Sequence, residues 1–246
     1  KGGNEMGEAG PAEKIIRVDS GNIDEEHICC AIADKKSEGG VRAKKNWMRV
    51  RFREGLVFKK ADVRGKVFIE YIPSEQAWCP VEADGYMFVN CLWVSGRYKG
   101  TGLGGRLLDQ CIEDSAGMNG IVMISSNKKK PFLSDKSFLM HKGFYVCDYA
   151  PPYYELMCLK FRESAPDPRF AECAKSLEVL PKEGVVILYS HQCPFCEYYV
   201  EELRAAAEEE GIPVSVSRYE NSLQARNAPC ASTTFSIFYN GRFVTH

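Results

Sequence analysis

The amino-acid sequence predicts an α/β (α+β) protein in two parts, a large mixed sheet flanked by helices followed by a small, incomplete α/β domain. Three observations lead to this prediction. Residues 86–115 read as an apolar strand, a glycine-rich loop and an amphipathic helix. Strand and helix patterns surround this stretch on both sides. A polar, proline-containing joint at 162–168 then precedes a second apolar strand that leads into a helix.

The elements of the first part follow from hydrophobic spacing and turn residues. Before the central stretch we predict a strand at 14–18, a helix from residue 25, a helix at 41–53, and strands at 56–60 and 66–72. After it we predict a buried strand at 120–125, a helix ending at Gly143, and strands at 144–148 and 154–161.

The second part has its own strand and helix pattern. We predict a connecting helix at 170–180, strands at 184–190 and 213–219 on either side of a helix that runs through 210, and a final hairpin at 234–246. The predicted organisation is a flexible leader at 1–13, a first domain at 14–162, a linker with the connecting helix at 163–183, and a second domain at 184–246.

Composition and charge exclude several classes of function. The 32 basic and 33 acidic residues nearly cancel, so the charge excess typical of nucleic-acid binding is missing. Apolar runs stay well below the roughly 18 residues of a membrane span, and the polar start of the sequence does not read as a signal peptide. The 11 cysteines therefore read as reduced thiols, most of them in apolar runs. We expect a cytoplasmic protein without nucleic-acid or membrane partners.

The loop at 97–105 has the composition of an anion-binding cradle. Its glycines allow backbone N–H groups to approach a ligand closely, and the following helix start adds partial positive charge. Arg97 and Lys99 add full charges. The dinucleotide fingerprint and the P-loop ending do not fit this stretch. A strand–helix turn that binds nothing is the alternative interpretation.

The pattern Arg-x-x-Gly-x-Gly at 97–102, between a strand and a helix, resembles the acetyl-CoA pyrophosphate loop of the GCN5-related N-acetyltransferases, the GNAT family. The resemblance implies the GNAT mixed sheet and acetyl-CoA (coenzyme A) as co-substrate. It also implies that the backbone of Leu92, Trp93 and Val94 pairs with the pantetheine arm. The other cofactor-binding residues that it implies are Arg97, Tyr98, Lys99, Gly100, Thr101, Gly102, Leu103, Gly104 and Asn127.

Acetyl transfer from a thioester to an amine needs positioning, a base for the amine and an acid for the departing thiolate. The tyrosine that supplies this acid in many GNAT enzymes would fall at Leu139, which has no acidic group. We predict Glu82 as the base and Tyr145 as the replacement acid. The open alternatives are Glu70 and Asp84 for the base and His141 for the acid.

Two features of the first part stay undecided. Asn90 and Cys91 lie in mid-strand, where one of them must face the cleft, but alternation does not say which. The lysines at 128–130 could attract the 3′-phosphate of coenzyme A, although a solvated charge run is the more common explanation.

The second part contains Cys193-Pro-Phe-Cys196 between an apolar strand and a helix, where a thioredoxin-type fold places its redox pair. The helix N-terminus would lower the pKa of Cys193 and make it the attacking thiolate. The segment resembles glutaredoxins, but Phe235 replaces the proline expected beside the pair, and no closing helix follows the hairpin in the sequence. Zinc binding by His191, Cys193, Cys196 and Cys230 is disfavoured by irregular spacing, so we predict no metal; inert cysteines are a further alternative.

The two halves together resemble the YoaP-type bacterial acetyltransferases, through EHICCAI from Glu26, CLWVSGRYKGTGLG, APPYYEL and FYNGRFVTH. The resemblance implies an acetyl-CoA-dependent N-acetyltransferase that acts by direct transfer on an amine of a small molecule or a protein. It identifies neither the acceptor nor the oligomeric state. The alternatives are a thiol–disulfide oxidoreductase or thiol/metal-binding module that uses Cys193 and Cys196, and an acetyl-CoA sensor without turnover.

Overall fold

A computed structural model describes residues 13–32 and 34–246 of the chain. The strands in this part are β1 (Ile15–Val18), β2 (Val57–Ala61), β3 (Val67–Pro73), β4 (Val81–Glu82), β5 (Tyr86–Val94), β6 (Gly120–Ser126), β7 (Tyr145–Ala150), β8 (Tyr154–Lys160), β9 (Arg169–Phe170), β10 (Val185–Tyr189), β11 (Val214–Arg218), β12 (Phe235–Tyr239) and β13 (Arg242–Thr245). The α-helices are α1 (Glu38–Arg51), α2 (Leu103–Asp114), α3 (Lys136–His141), α4 (Cys196–Glu209) and α5 (Ser222–Arg226). Within the described ranges, no helix has the length and apolar character needed to cross a bilayer.

The larger sheet has seven strands in the order β1-β2-β3-β5-β6-β8-β7. Strands β5 and β6 are parallel, and the other neighbours are antiparallel. Trp47 and Met48 of α1 pack on one side of the sheet, here called the α1 face. Leu107 of α2 and Leu139 of α3 pack on the opposite side, the α2 face. This arrangement confirms the predicted mixed α/β architecture with a large sheet flanked by helices.

The smaller sheet has the order β11-β10-β12-β13, with β10 and β11 parallel and the other pairs antiparallel. Val200 of α4 packs against Ile187 of β10. This unit shares a core with the large sheet, because Ala225 and Ala231 belong to the same buried cluster as Trp47. The two halves are therefore joined by apolar packing as well as by the chain.

The tightest contact between the halves lies at the start of α1. A Cβ atom built on Gly40 would overlap the carbonyl oxygen of Pro194, in the turn that precedes α4. A Cβ atom on the neighbouring Gly39 meets open space. Glycine at position 40 therefore allows the Cys193–Cys196 turn to approach the backbone of α1 directly.

This contact gives a matched pair of variants. We expect Gly40→Ala to lower the free energy of unfolding by about 1–3 kcal/mol, because the methyl group must displace the Pro194 turn. Gly39→Ala should be neutral or stabilising by up to about 1 kcal/mol, since alanine favours the helix. Urea unfolding monitored by tryptophan fluorescence measures both. Equal stability of the two variants would show that the contact is loose.

Several elements differ from the sequence prediction. The predicted helix from residue 25 is a series of turns and bends. The predicted connecting helix at 170–180 is instead the end of β9, a 3-10 turn at Glu172–Lys175 and an extended segment. Phe170 at the start of this segment pairs with Val81 of β4, and Glu178 near its end forms a bridge with Arg242. The short helix α5 was not predicted. The leader predicted at 1–13 lies outside the described residues except for Glu13.

Candidate active site

Strands β5 and β6 separate partway along the sheet. Tyr86 to Val89 pair with Gly120 to Met123, and no further pair between these two described strands follows. Burial changes at the same point, since the first four residues of β5 are buried and the last five are partly exposed. The edge of β5 from Asn90 to Val94 therefore faces an open gap, where a ligand can pair with backbone groups.

A bulge lies at the start of this gap. Residue pairing between β3 and β5 passes from Glu70 opposite Cys91 to Tyr71 opposite Val89, which leaves Asn90 as the extra residue. Asn90 Nδ2 donates to Glu70 Oε1 at 2.8 Å, and Cys91 packs with the core of the α1 face. Both Asn90 and Cys91 thus face α1, whereas simple alternation predicted that they face opposite sides of the sheet.

The glycine-rich loop continues directly from the gap. Gly96, Gly100 and Gly102 have φ angles of 61°, 77° and 81°, in the left-handed region that favours glycine. Gly102 immediately precedes α2, and among the described residues no side chain caps this helix. The amides of its first turn, from Leu103 onward, are consequently free to bind an anion.

Tyr98 anchors this loop. Its ring is buried and packs against Gly65, while its carbonyl oxygen accepts a hydrogen bond from Thr101 Oγ1 at 2.7 Å. Arg97 Nη2 donates to the Tyr98 hydroxyl at 2.8 Å. The exposed Arg97 and Lys99 bring positive charge to the loop, as the sequence predicted.

Two buried polar atoms beside the gap fit a bound ligand. Within the described ranges, Asn90 Oδ1 and Trp93 Nε1 have no hydrogen-bond partner. An acceptor and a donor left in this way are costly unless a ligand or water satisfies them. Their position on the gap suits an amide-containing arm such as pantetheine, which carries both N–H and C=O groups.

The end of β6 forms the other side of the gap. Asn127 directly follows this strand and is exposed, at the same edge of the parallel pair as Val94. Lys128 and Lys129 are also exposed, whereas Lys130 Nζ lies 4.3 Å from the centre of the Tyr153 ring. Asn127 and the lysines are thus placed beside the gap, and their contacts with coenzyme A stay predictions.

Glu82 and Tyr145, predicted for the proton transfers, lie away from the gap. Glu82 is exposed on β4 and pairs with Arg169 at 2.6 Å, close to the start of β5. The four residue steps from Tyr86 to Asn90 span about 13 Å of strand. Tyr145 of β7 pairs with Cys158 of β8, which in turn pairs with Val122 of β6. Tyr145 therefore lies beside the part of β6 that is still paired with β5, four residues before the end of β6.

Although Tyr145 lies away from the gap, its hydroxyl group is held in the protonated form that a general acid needs. Its hydroxyl donates to Asp167 Oδ1 at 3.0 Å, and burial together with this hydrogen bond raises the pKa of Tyr145. Leu139, at the place of the expected tyrosine, is fully buried in the core of the α2 face. His141 is exposed at the end of α3. The alternative base Asp84 is exposed as well. Glu70, the other alternative, is buried and accepts a hydrogen bond from Asn90, which lies at the gap.

Lys44 is a buried residue of the site that was not predicted from the sequence. Lys44 Nζ lies 2.6 Å from Glu70 Oε2, and their side chains are 0% and 2% exposed. Burial is the strongest single influence and would lower the pKa of Lys44, but the Glu70 carboxylate and two neighbouring thiols together hold the pKa above its usual value. Lys44 precedes Trp47 and Met48 by three and four positions, so helical spacing on the apolar face of α1 was the available signal.

The Cys193–Cys196 pair lies at the start of α4 with both thiols free. Cys193 is partly exposed and Cys196 is buried. A hydrogen bond from the Cys196 thiol lowers the pKa of Cys193 despite burial, assisted by the Phe195 amide and the Lys44 charge. The same hydrogen bond and burial raise the pKa of Cys196, whose thiol also contacts the Thr234 carbonyl oxygen at 3.1 Å.

The four side chains considered for zinc are not assembled into a site. His191 Nε2 lies 2.5 Å from Glu197 Oε1, and Cys230 belongs to a separate core cluster from Cys193 and Cys196. Among residues 13–32 and 34–246, no group of three or more potential ligands has an arrangement that could hold a metal ion.

Comparison with known proteins gives one extensive match. "Uncharacterized N-acetyltransferase YoaP" from Bacillus subtilis (strain 168) is 44% identical over 233 residues, which is 94% of this chain and 92% of the relative. The YoaP-like family profile matches residues 213–246.

Solved structures are more distant. A GNAT family acetyltransferase from Brucella melitensis in complex with acetyl-CoA has a TM-score of 0.41 and 17% identity, over 63% of this chain and 92% of that chain. The GNAT family N-acetyltransferase YhbS from Escherichia coli in complex with CoA has a TM-score of 0.38 and 14% identity, over 67% of this chain and 93% of that chain. Scores this low add no argument of their own.

The fold and the gap define the class: a mixed α/β protein in which a glycine-rich loop before an uncapped helix adjoins a split in the sheet. The identity to the Bacillus subtilis protein over nearly the whole length of both chains defines the family. The chain belongs to the YoaP-like family.

Proposed function

We propose that this protein is an acetyl-CoA-dependent N-acetyltransferase that transfers the acetyl group directly to an amine. The observation that carries the proposal is the continuity between the uncapped start of α2 and the unpaired edge of β5. The free amides at the start of α2 suit a pyrophosphate, and the unpaired edge of β5 suits the pantetheine arm that is attached to the pyrophosphate. The name N-acetyltransferase borne by the Bacillus subtilis relative supports the same activity.

The binding mode follows from this continuity. The amides of Tyr98 to Gly104, together with Arg97 and Lys99, would hold the pyrophosphate. The arm would then follow β5 backward along Val94, Trp93 and Leu92, pairing with their free backbone groups. This direction brings the thioester to Asn90 and Cys91, where the strands begin to separate.

The chemistry at that point needs few side chains. The amine nitrogen attacks the acetyl carbonyl carbon, the C–S bond breaks, and coenzyme A leaves as a thiolate. The amine loses one proton and the thiolate gains one. Holding both reactants in the gap accounts for much of the rate increase, because it replaces a bimolecular encounter. Asn90, fixed by Glu70, lies beside the reacting group.

A library of amines tests the proposed activity. Incubation with acetyl-CoA should acetylate at least one amine, detected by mass spectrometry, and acetyl-CoA alone should raise the melting temperature. An acetyl-CoA sensor would show the second result without the first. Failure of both would refute the proposal.

The roles of Glu82 and Tyr145 stay predictions that one set of variants tests. Because both side chains form exposed pairs, Glu82→Gln and Tyr145→Phe should change the free energy of unfolding by no more than about 1 kcal/mol. A proton-transfer role predicts a fall in kcat of about 100-fold or more. Arg169→Gln removes the partner of Glu82 but keeps its carboxylate, and should resemble wild type. Turnover within about threefold of wild type would remove the tested residue from the mechanism.

We also propose that residues 184–246 form a thioredoxin-like domain after the linker at 163–183, in a cytoplasmic protein. The order β11-β10-β12-β13 and the position of Cys193 before α4 support the first part of this proposal. The lowered pKa of Cys193 favours a second candidate function, thiol–disulfide exchange. Measurement of the Cys193–Cys196 reduction potential tests it, and a pair that never forms a disulfide would exclude it.

A further inference from the structure

The Cys193 turn packs on the start of α1, on the side of the large sheet that Asn90 and Cys91 face. Gly40 contacts Pro194, and Lys44, one helical turn further along α1, contacts Glu70. Glu70 in turn accepts a hydrogen bond from Asn90 at the bulge. A short chain of contacts thus connects the turn before α4 with the point where the thioester would lie.

Three partly exposed thiols share this region. Cys91 lies on the gap, Cys30 on the segment before α1, and Cys193 on the turn before α4. They are close enough for charge on Cys193 to raise the pKa of both neighbours, and burial with this charge raises the pKa of Cys30 to about 12. Of the three, Cys193 is the thiol whose pKa is lowered rather than raised, which favours the nucleophilic thiolate form.

We infer that the acceptor is a small amine with a sulfur function, held beside the thioester by Cys193 as a mixed disulfide. This inference rests on the proposed acetyltransferase function and deepens it, because it assigns the acceptor class and the group that positions it. A tethered amine reacts at an effective concentration in about the millimolar range, which a weak acceptor pocket alone would not supply.

The amine is attached to Cys193 and later released by thiol–disulfide exchange, with acetyl transfer between these two steps. The Cys193 thiolate attacks one sulfur of a small disulfide R–S–S–R, so that a Cys193–S–R bond forms and one R–S⁻ leaves and takes up a proton. The amine of the tethered group then attacks acetyl-CoA as described above. The Cys196 thiol, three residues along the chain from Cys193, attacks Cys193 Sγ and gives its proton to the departing acetylated thiol. A cellular dithiol reduces the resulting Cys193–Cys196 disulfide and is itself oxidised.

A trapped adduct tests the inference. In Cys196→Ser the mixed disulfide cannot be resolved, so cystamine should leave one cysteamine unit on Cys193, located by peptide mass spectrometry. Addition of acetyl-CoA should then acetylate this unit. The rate should be at least about tenfold higher than for untethered hexamethylenediamine, a sulfur-free analogue of equal chain length, at about 0.1 mM.

Two controls isolate the steps. The adduct from hydroxyethyl disulfide, which has no amine, should gain no acetyl group. The Cys193→Ser/Cys196→Ser variant should form no adduct at this position, and its stabilisation by acetyl-CoA should show that it is folded.

Lack of an adduct on Cys193, or an adduct that is not acetylated while hexamethylenediamine is, would overturn this inference and leave the proposed function intact. Absence of acetylation of every amine, together with no stabilisation by acetyl-CoA, would instead refute the proposed function itself.

Discussion

Gly102→Glu is expected to abolish the thermal stabilisation that acetyl-CoA gives the wild-type protein. Gly102 is exposed, has φ +81° and immediately precedes α2, and a Cβ atom there meets open space. The new carboxylate would lie where the pyrophosphate binds, repel it and occupy the amides of the first helical turn. Loss of two charge-assisted hydrogen bonds, each about 1.5–3 kcal/mol, weakens binding by at least about 100-fold.

The fold itself should survive this change. A left-handed non-glycine residue costs about 1–2 kcal/mol, and a negative charge at a helix N-terminus returns part of that. Wild-type protein at an acetyl-CoA concentration of about 100 times Kd gains about 2.7 kcal/mol, which corresponds to a shift of about 5–10 °C. Differential scanning fluorimetry with and without acetyl-CoA measures the difference directly.

Gly117→Glu is the matched control. Gly117 also has positive φ, at +91°, and also faces open space, but it lies beyond the C-terminal end of α2. The Gly117→Glu variant has the same backbone strain and the same added charge as Gly102→Glu, but the new side chain lies away from the loop at 97–105. The control should keep the full acetyl-CoA shift. An equal shift in Gly102→Glu would show that the cofactor does not lie on this loop.

The loop was predictable because its signal is local. Strand, glycines and helix follow one another within 86–115, and the structure turns through Gly100 and Gly102 into α2 where the pattern indicated. The backbone role of Leu92 to Val94 stays a prediction; the structure shows that their edge of β5 is free of β6. Pattern and three-dimensional position coincide wherever the elements are neighbours in the chain.

The rest of the candidate site depends on contacts between distant residues, which periodicity does not encode. The bulge at Asn90 is set by pairing with β3 and overrides the simple alternation of β5. The docking of Pro194 on Gly40 joins residues 154 positions apart. The segment at 170–180 has some helical spacing, but its two ends pair with distant residues, Phe170 with Val81 and Glu178 with Arg242. Lys44 would have been placed in solvent by its residue type alone.

Lys44→Met is expected to lower the free energy of unfolding by about 3–5 kcal/mol, because it leaves the buried Glu70 carboxylate without its counter-ion. Methionine fills a similar volume, so the loss reports charge rather than packing. Urea unfolding at neutral pH measures it. Because the pKa of Lys44 is raised, its contribution is fully present below the ordinary value of 10.5 and is lost only as the pH rises through the folded value.

The double variant Lys44→Met/Glu70→Gln separates pairing from burial. It removes both charges and keeps a carbonyl oxygen that can accept the hydrogen bond from Asn90 Nδ2. Replacing a buried pair with neutral groups of similar size is often close to neutral, so most of the lost stability should return. If the double variant is as unstable as Lys44→Met, the ammonium group is needed for its other contact, over the Trp47 ring at 4.3 Å. Recovery would instead mean that the charge on Lys44 is retained at a cost in desolvation, which fits its ion pair with Glu70 and its contribution to the lowered pKa of Cys193.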